Sequence, residues 1–116
     1  MRLATGAVLE LDVPIYLGRR PRVPRVQPGP APRLVTLPSP GNELSATHLE
    51  VRESGRAVVV RDLRSTNGSI VHVPGAPARV LIGGESAVVS PGTLIDLGDG
   101  NLIEVLRPAL TPEADS

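Results

Sequence analysis

Cysteine and lysine are absent from the 116 residues, as are phenylalanine and tryptophan. Without cysteine there is neither a disulfide framework nor a thiolate metal site. His48 and His72 are the only histidines, which excludes an all-histidine metal cage, and no metal or other cofactor is expected. Tyr16 is the single aromatic residue, so a core must be assembled from Leu, Val and Ile. Each of these contributes roughly 1.5–3 kcal/mol when fully buried. Apolar runs such as "AVVV" and "SAVVS" are strand-length, too short to span a bilayer. At the start, Glu10 and Asp12 interrupt the stretch that a signal peptide would need as its apolar region. These absences lead to a soluble domain of a reducing compartment, placed in the cytoplasm. The Asn67-Gly68-Ser69 glycosylation sequon is then accidental.

What remains is enough for one domain, with 41% hydrophobic residues alongside 12 Gly and 13 Pro. Charge balances at 12 basic against 12 acidic residues, all of the basic ones arginine. The distribution is uneven. Arg19, Arg20, Arg22, Arg25 and Arg33 occupy a stretch without any acid, whereas Asp96, Asp99, Glu104, Glu113 and Asp115 face Arg107 alone. A bulk polyanion binder should be basic overall, so nucleic acid is not an expected partner. The arginine-rich segment is either a local anion site or a solvated loop encoded by a GC-rich, bacterial genome.

Turn residues divide the chain into about eleven short runs with period-two alternation or β-branched character. "RLAT" and "AVLEL" flank Thr5-Gly6 as a first hairpin. "PIYLG", "RLVTL", "HLEVRE", "RAVVVRD", "SIVHV", "ARVLI", "SAVV", "TLIDL" and "NLIEVL" follow. No window holds apolar residues at helical spacing over three turns without a proline or glycine. The pattern predicts an all-β sandwich or barrel. Asn67-Gly68 between two runs is a strong hairpin signal, since both residues accept positive φ. The Pro/Gly-rich stretch 20–33 is longer than compact domains usually carry, hence functional or mobile. The tail, residues 108–116, carries no strand signal and is expected to fray.

Three loops collect the polar residues: "YLGRRP", "NELSATHLEV" and "RDLRSTNGS". Together they offer arginine, small hydroxyls, an asparagine and a histidine, the donors that recognise a phosphate dianion. Gly18-Arg19, then Ser45-x-x-His48, then Asp62-Leu63-x-Ser65-Thr66-Asn67-Gly68 resembles the forkhead-associated (FHA) domain in order and spacing. The closing "PGTLIDLGDGNLIEV" resembles that family's last strands, and the likeness covers residues 1–107.

The resemblance implies an eleven-stranded β-sandwich (FHA/SMAD-like) that binds phosphothreonine peptides through loops at one end. Carried onto this chain, Arg19 and Ser45 contact the phosphate, Thr66 adds a contact nearby, and Asn67 holds the peptide main chain. Gly18 and Gly68 permit tight turns, and His48 braces the serine loop. The implied partners are substrates of a Ser/Thr kinase, or the kinase itself. Ala46 departs from the basic or amide residue common in the family; one phosphate contact is missing, or Arg20 replaces it. Glu43 stands near the position that reads the third residue beyond the phosphothreonine, where an acid disfavours acidic peptides. The long spacing from Arg19 to Ser45 is an added binding surface or an inert insertion. Thr111-Pro112 is a candidate phosphorylation site that could dock in the same pocket. Two other readings stay open: a scaffold binding its partner without phosphate, and a serine hydrolase using Ser45, His48 and Asp62. The latter lacks a G-x-S-x-G elbow.

Overall fold

The computed structural model describes residues 1–23 and 29–107. Arg25 and the tail 108–116, with Thr111, lie outside the described residues. Nine strands follow in chain order: β1 (Ile15–Gly18), β2 (Arg33–Thr36), β3 (Leu49–Ser54), β4 (Ala57–Asp62), β5 (Ser69–His72), β6 (Arg79–Leu81), β7 (Ser86–Val89), β8 (Leu94–Asp96) and β9 (Leu102–Glu104). One sheet has the order β2-β1-β3-β4-β7 and the other β6-β5-β8-β9. The alternation read from the sequence decides which faces meet. Along β3, Leu49 and Val51 are buried; along β4, Val58, Val60 and Asp62 are. Leu49, Val51, Val58 and Val60 pack with Val71, Leu81, Ile95 and Ile103 of the second sheet into an aliphatic core. The expected all-β sandwich is the architecture observed.

Two local expectations need correction. The first two apolar runs do not become strands. They form only the isolated bridges Arg2↔Val8 and Arg2↔Glu104, closed by Leu3 N–H to Ala7 O at 2.8 Å. Met1, Leu3 and Leu9 pack against the core, but the ladder between the two runs stops at that single bridge. The Asn67-Gly68 connection is also no hairpin. β4 is already hydrogen-bonded along both edges, by β3 and β7, so β5 has no edge to join and enters the other sheet. Gly68 has φ 81°, but Asn67 stays out of the left-handed region, so the paired geometry of a two-residue hairpin turn is missing.

β1 and β2 run parallel, with Ile15 opposite Arg33. A parallel pair needs a long return connection, and residues 19–32 supply it. Part of the extra spacing before Ser45 is thus required by topology. Among the described residues no helix is long and apolar enough to cross a membrane.

Candidate functional site

Sheet register brings the three polar loops to one end. β3 is antiparallel to both neighbours, with Leu17 opposite Leu49 and Leu49 opposite Asp62. The end of β1, the start of β3 and the end of β4 therefore coincide. Gly18-Arg19, the serine loop before Leu49 and the stretch after Asp62 emerge side by side.

Buried polar groups lock these loops together. His48 is fully buried; its Nδ1 accepts from Ser45 N–H at 3.1 Å, so Nε2 carries the ring proton and donates to Gly68 O at 2.8 Å. One imidazole thus ties the serine loop to the Asn67-Gly68 turn. Asp62, also fully buried, accepts from Ser65 N–H at 3.0 Å and from the hydroxyls of Ser65 and Ser69. Ser65 Oγ in turn accepts from Gly68 N–H at 2.9 Å. A buried carboxylate with three donors is well satisfied, and removing it would orphan several groups at once. The motif alone gives Ser65 no role; its burial and its bonds to Asp62 and Gly68 make it structural.

Gly18 is needed for close approach rather than for turning. A Cβ there would sit 2.0 Å from Ala46 O. That contact seats Arg19 N–H against Ser45 O at 3.2 Å and Arg20 N–H against Ala46 O at 3.0 Å. Gly68 does have positive φ, and its missing Cβ also clears Val80 and Ile82.

The groups left facing outward are few. Arg19 Nε donates to Leu44 O at 3.0 Å, which fixes the guanidinium plane, and no carboxylate among the described residues pairs with its terminal nitrogens. Ser45 Oγ accepts from Thr66 N–H at 2.9 Å, leaving the hydroxyl proton free to donate. Thr66 and Asn67 are exposed. Asn67 Nδ2 donates to Glu43 O at 2.8 Å, keeping its carbonyl oxygen and one N–H for another partner. Arg19, Ser45, Thr66 and Asn67 thus form one hydrogen-bonded cluster, with Arg20 exposed beside it and Ala46 half-buried beneath. Chemically the cluster is a donor-rich cup, and among the described residues no carboxylate forms an ion pair with Arg19 or Arg20.

On the other side of Asn67 the carboxylates are occupied. Asp99 accepts from Ser39 Oγ, Gly41 N–H at 3.0 Å and Glu43 N–H at 2.8 Å. The Ser39 bond, followed by those from the Glu43 and Gly41 backbone, holds its carboxyl below the ordinary 3.8. Glu43 returns the contact by accepting from Asp99 N–H. Asn101 Nδ2 adds a bond to Pro38 O at 2.8 Å. This latch between the 39–43 loop and the 98–101 turn was not foreseen. The "GDG" stretch reads as turn punctuation, and nothing local shows a carboxylate crossing to a loop far away in sequence. Beyond the latch, a groove of about 470 Å³ runs from Glu43 and Asn67 past Ile70, Asp96 and Leu102.

A nucleophilic triad is not assembled. His48 bonds the backbone N–H of Ser45, not its hydroxyl, and both ring nitrogens are committed. Asp62 lies 4.0 Å from His48 Nε2 with its oxygens turned to the two serines. Among the described residues no group of three or more His, Cys, Asp or Glu converges as a metal site.

A two-sheet sandwich with its polar loops gathered at one end defines a class of all-β fold. Comparison with solved structures names the fold. The chain is similar to the crystal structure of the FHA domain of the CT664 protein from Chlamydia trachomatis, with 20% identity and a TM-score of 0.55. The match covers 87% of this chain and 82% of that one. No family model and no curated protein matches the sequence. The fold is that of an FHA domain, the architecture its loop motifs resemble.

Proposed function

We propose that residues 1–107 form a phosphothreonine-dependent peptide-binding domain that reads Ser/Thr-kinase marks in the bacterial cytoplasm. The observation carrying this reading is the pairing of Ser45 and Arg19. Ser45 Oγ is oriented by Thr66 N–H with its own proton free, beside a guanidinium held edge-on by Leu44 O. A phosphothreonine brings about −1.5 to −2 charges and three acceptor oxygens to that cup. Arg19 and Ser45 bind the phosphate, Thr66 supports the threonine, and Asn67 holds the peptide main chain. The partner is a phosphorylated protein, a kinase substrate or the kinase itself, and the role is recognition rather than catalysis. Charge-assisted bonds of roughly 1.5–3 kcal/mol each, less the ordering of the peptide, lead to an affinity near the micromolar level, about −8 kcal/mol. That strength disappears when the phosphate leaves, which suits a switch.

Glu43 continues this reading. Its carboxylate borders the groove beyond Asn67, so an acidic residue entering there meets like charge. Titrating one peptide in phosphothreonine, phosphoserine and unmodified forms tests the proposal. Only the phosphothreonine form should bind at micromolar concentration, and Arg19→Ala should abolish it. Equal binding of the unmodified form would favour a phosphate-independent scaffold, the reading that Ala46 supports by offering no side-chain donor.

A further inference from the structure

We propose a second anion subsite: the cleft lined by Arg22, Arg61 and Arg64 takes a carboxylate or a second phosphate of the same partner chain held by the cup. The inference rests on the peptide-binding reading above and extends it to residues of the same loops to which the family resemblance gives no role.

The cleft measures about 390 Å³ and lies on the outer face of the five-stranded sheet, with Tyr16, Thr47 and Leu63 between the arginines. Its position follows from register. Tyr16 lies opposite Glu50 and Glu50 opposite Arg61, so this row points away from the core that Leu17, Leu49 and Asp62 enter. The cleft adjoins the cup on two strands of the chain. Thr47 follows Ala46, and Arg64 precedes Ser65. Arg22 N–H donates to Thr47 Oγ1 at 3.2 Å, which fastens the arginine-rich segment to the serine loop.

All three arginines line the space, and Arg61 is anchored there by its side chain. Arg61 Nε donates to Gly84 O at 3.2 Å. Arg64 has φ 56°, a left-handed conformation uncommon for a residue with a long side chain. A backbone strained at one residue, next to a binding loop, is where function is often stored. Among the described residues none of the three has a carboxylate within ion-pair distance.

The acids nearby do not fill the role. Asp62 lines the cleft, but its oxygens are turned to Ser65 and Ser69. Glu50 pairs with Arg52 at 3.9 Å and, after burial itself, is the main group raising the Tyr16 hydroxyl's pKa. Glu85 accepts from Ile82 N–H. With these carboxylates committed to other partners, the three guanidiniums have no ion pair among the described residues and border a partly apolar floor, where an incoming anion is screened less than in open water.

The test compares three peptides sharing one phosphothreonine: neutral flanks, an Asp pair on either flank, and a second phosphothreonine on either flank. Anion-bearing peptides should bind roughly fivefold tighter than the neutral one on one flank. The Arg61→Gln, Arg64→Gly double variant should erase that gain and leave the neutral peptide unchanged. Glycine at 64 relieves the left-handed backbone, so this variant should fold at least as well as the parent. The Asp and phosphate arms distinguish an acidic partner from a doubly phosphorylated one. Anion-bearing peptides binding no tighter than the neutral peptide, or the variant weakening all three equally, would overturn the subsite.

A separate arm uses oligoglutamate without phosphate, followed by amide NMR shifts at Thr47, Arg61 and Arg64. Those shifts should survive Arg19→Ala and vanish in the double variant. Their absence counts against the cleft whatever the phosphothreonine result. Their presence without phosphothreonine binding would leave the cleft standing and the cup reading fallen.

Discussion

The two flanks of the loop cluster carry opposite charge and use it differently. On one side Arg19, Arg20, Arg22, Arg61 and Arg64 have no carboxylate partner among the described residues. On the other, Asp99 and Glu43 are spent on backbone amides and a serine hydroxyl. Asp96 likewise accepts from Gly98 N–H at 2.9 Å. Carboxylates can cap several N–H groups at once and so serve as internal staples. Guanidinium carries donors only, and on this flank no described carboxylate takes up its terminal donors. The acidic flank therefore holds the loops in place, and the basic flank is available to a ligand.

Substitutions that break the scaffold shared by both flanks should have the largest effects. Gly18→Ala forces a methyl into Ala46 O and should destabilise the fold by about 3 kcal/mol or more, lowering the urea midpoint and abolishing peptide binding together. Ser45→Ala and Arg19→Ala separate the two functions. Each should weaken phosphopeptide binding by more than about a hundredfold while leaving the thermal midpoint within a few degrees, as calorimetry of both would register. A large fall in midpoint for Arg19→Ala would place that residue with the staples.

Asp99→Ala probes the acidic flank. Hydrogen exchange should quicken at Gly41 and Glu43, whose amides it caps, with peptide affinity falling less than for Arg19→Ala. The pH dependence has a definite sign. The Asp99 pKa is depressed in the fold, by Ser39 first, so its contribution is complete above the ordinary 3.8 and fades as pH falls through the lower folded value. Acid titration of the parent should release the 39–43 loop in that range, whereas Asp99→Asn should show no such step. Thr93→Val should raise stability slightly, by about 1 kcal/mol, because Thr93 Oγ1 is buried without a hydrogen-bond partner among the described residues. His72→Ala, on an exposed strand position remote from both flanks, should change neither binding nor stability measurably.

Much of this was legible in the residues. Alternation in "HLEVRE" and "RAVVVRD" marked which side chains of β3 and β4 are buried, since the pleat allows only one face per period. The spacing of Gly18-Arg19, Ser45-x-x-His48 and Thr66-Asn67-Gly68 identified the loops that the structure brings together. The Asn67-Gly68 turn was misread because edge availability decides whether a strand pairs with the one before it, and a local pattern does not show that. The first two runs do turn back on each other, through the Arg2↔Val8 bridge, but do not extend into strands.

Composition and periodicity by themselves determined an aliphatic, all-β chain with donor-rich loops, because burial and the two-residue pleat act within a few residues of one another. Only the tertiary structure decided that Asp99 staples a distant loop, that Gly18 exists to admit Ala46 O, and that Arg22, Arg61 and Arg64 share one cleft. Such relations depend on strand order and register, which join residues far apart in the chain and leave no local trace.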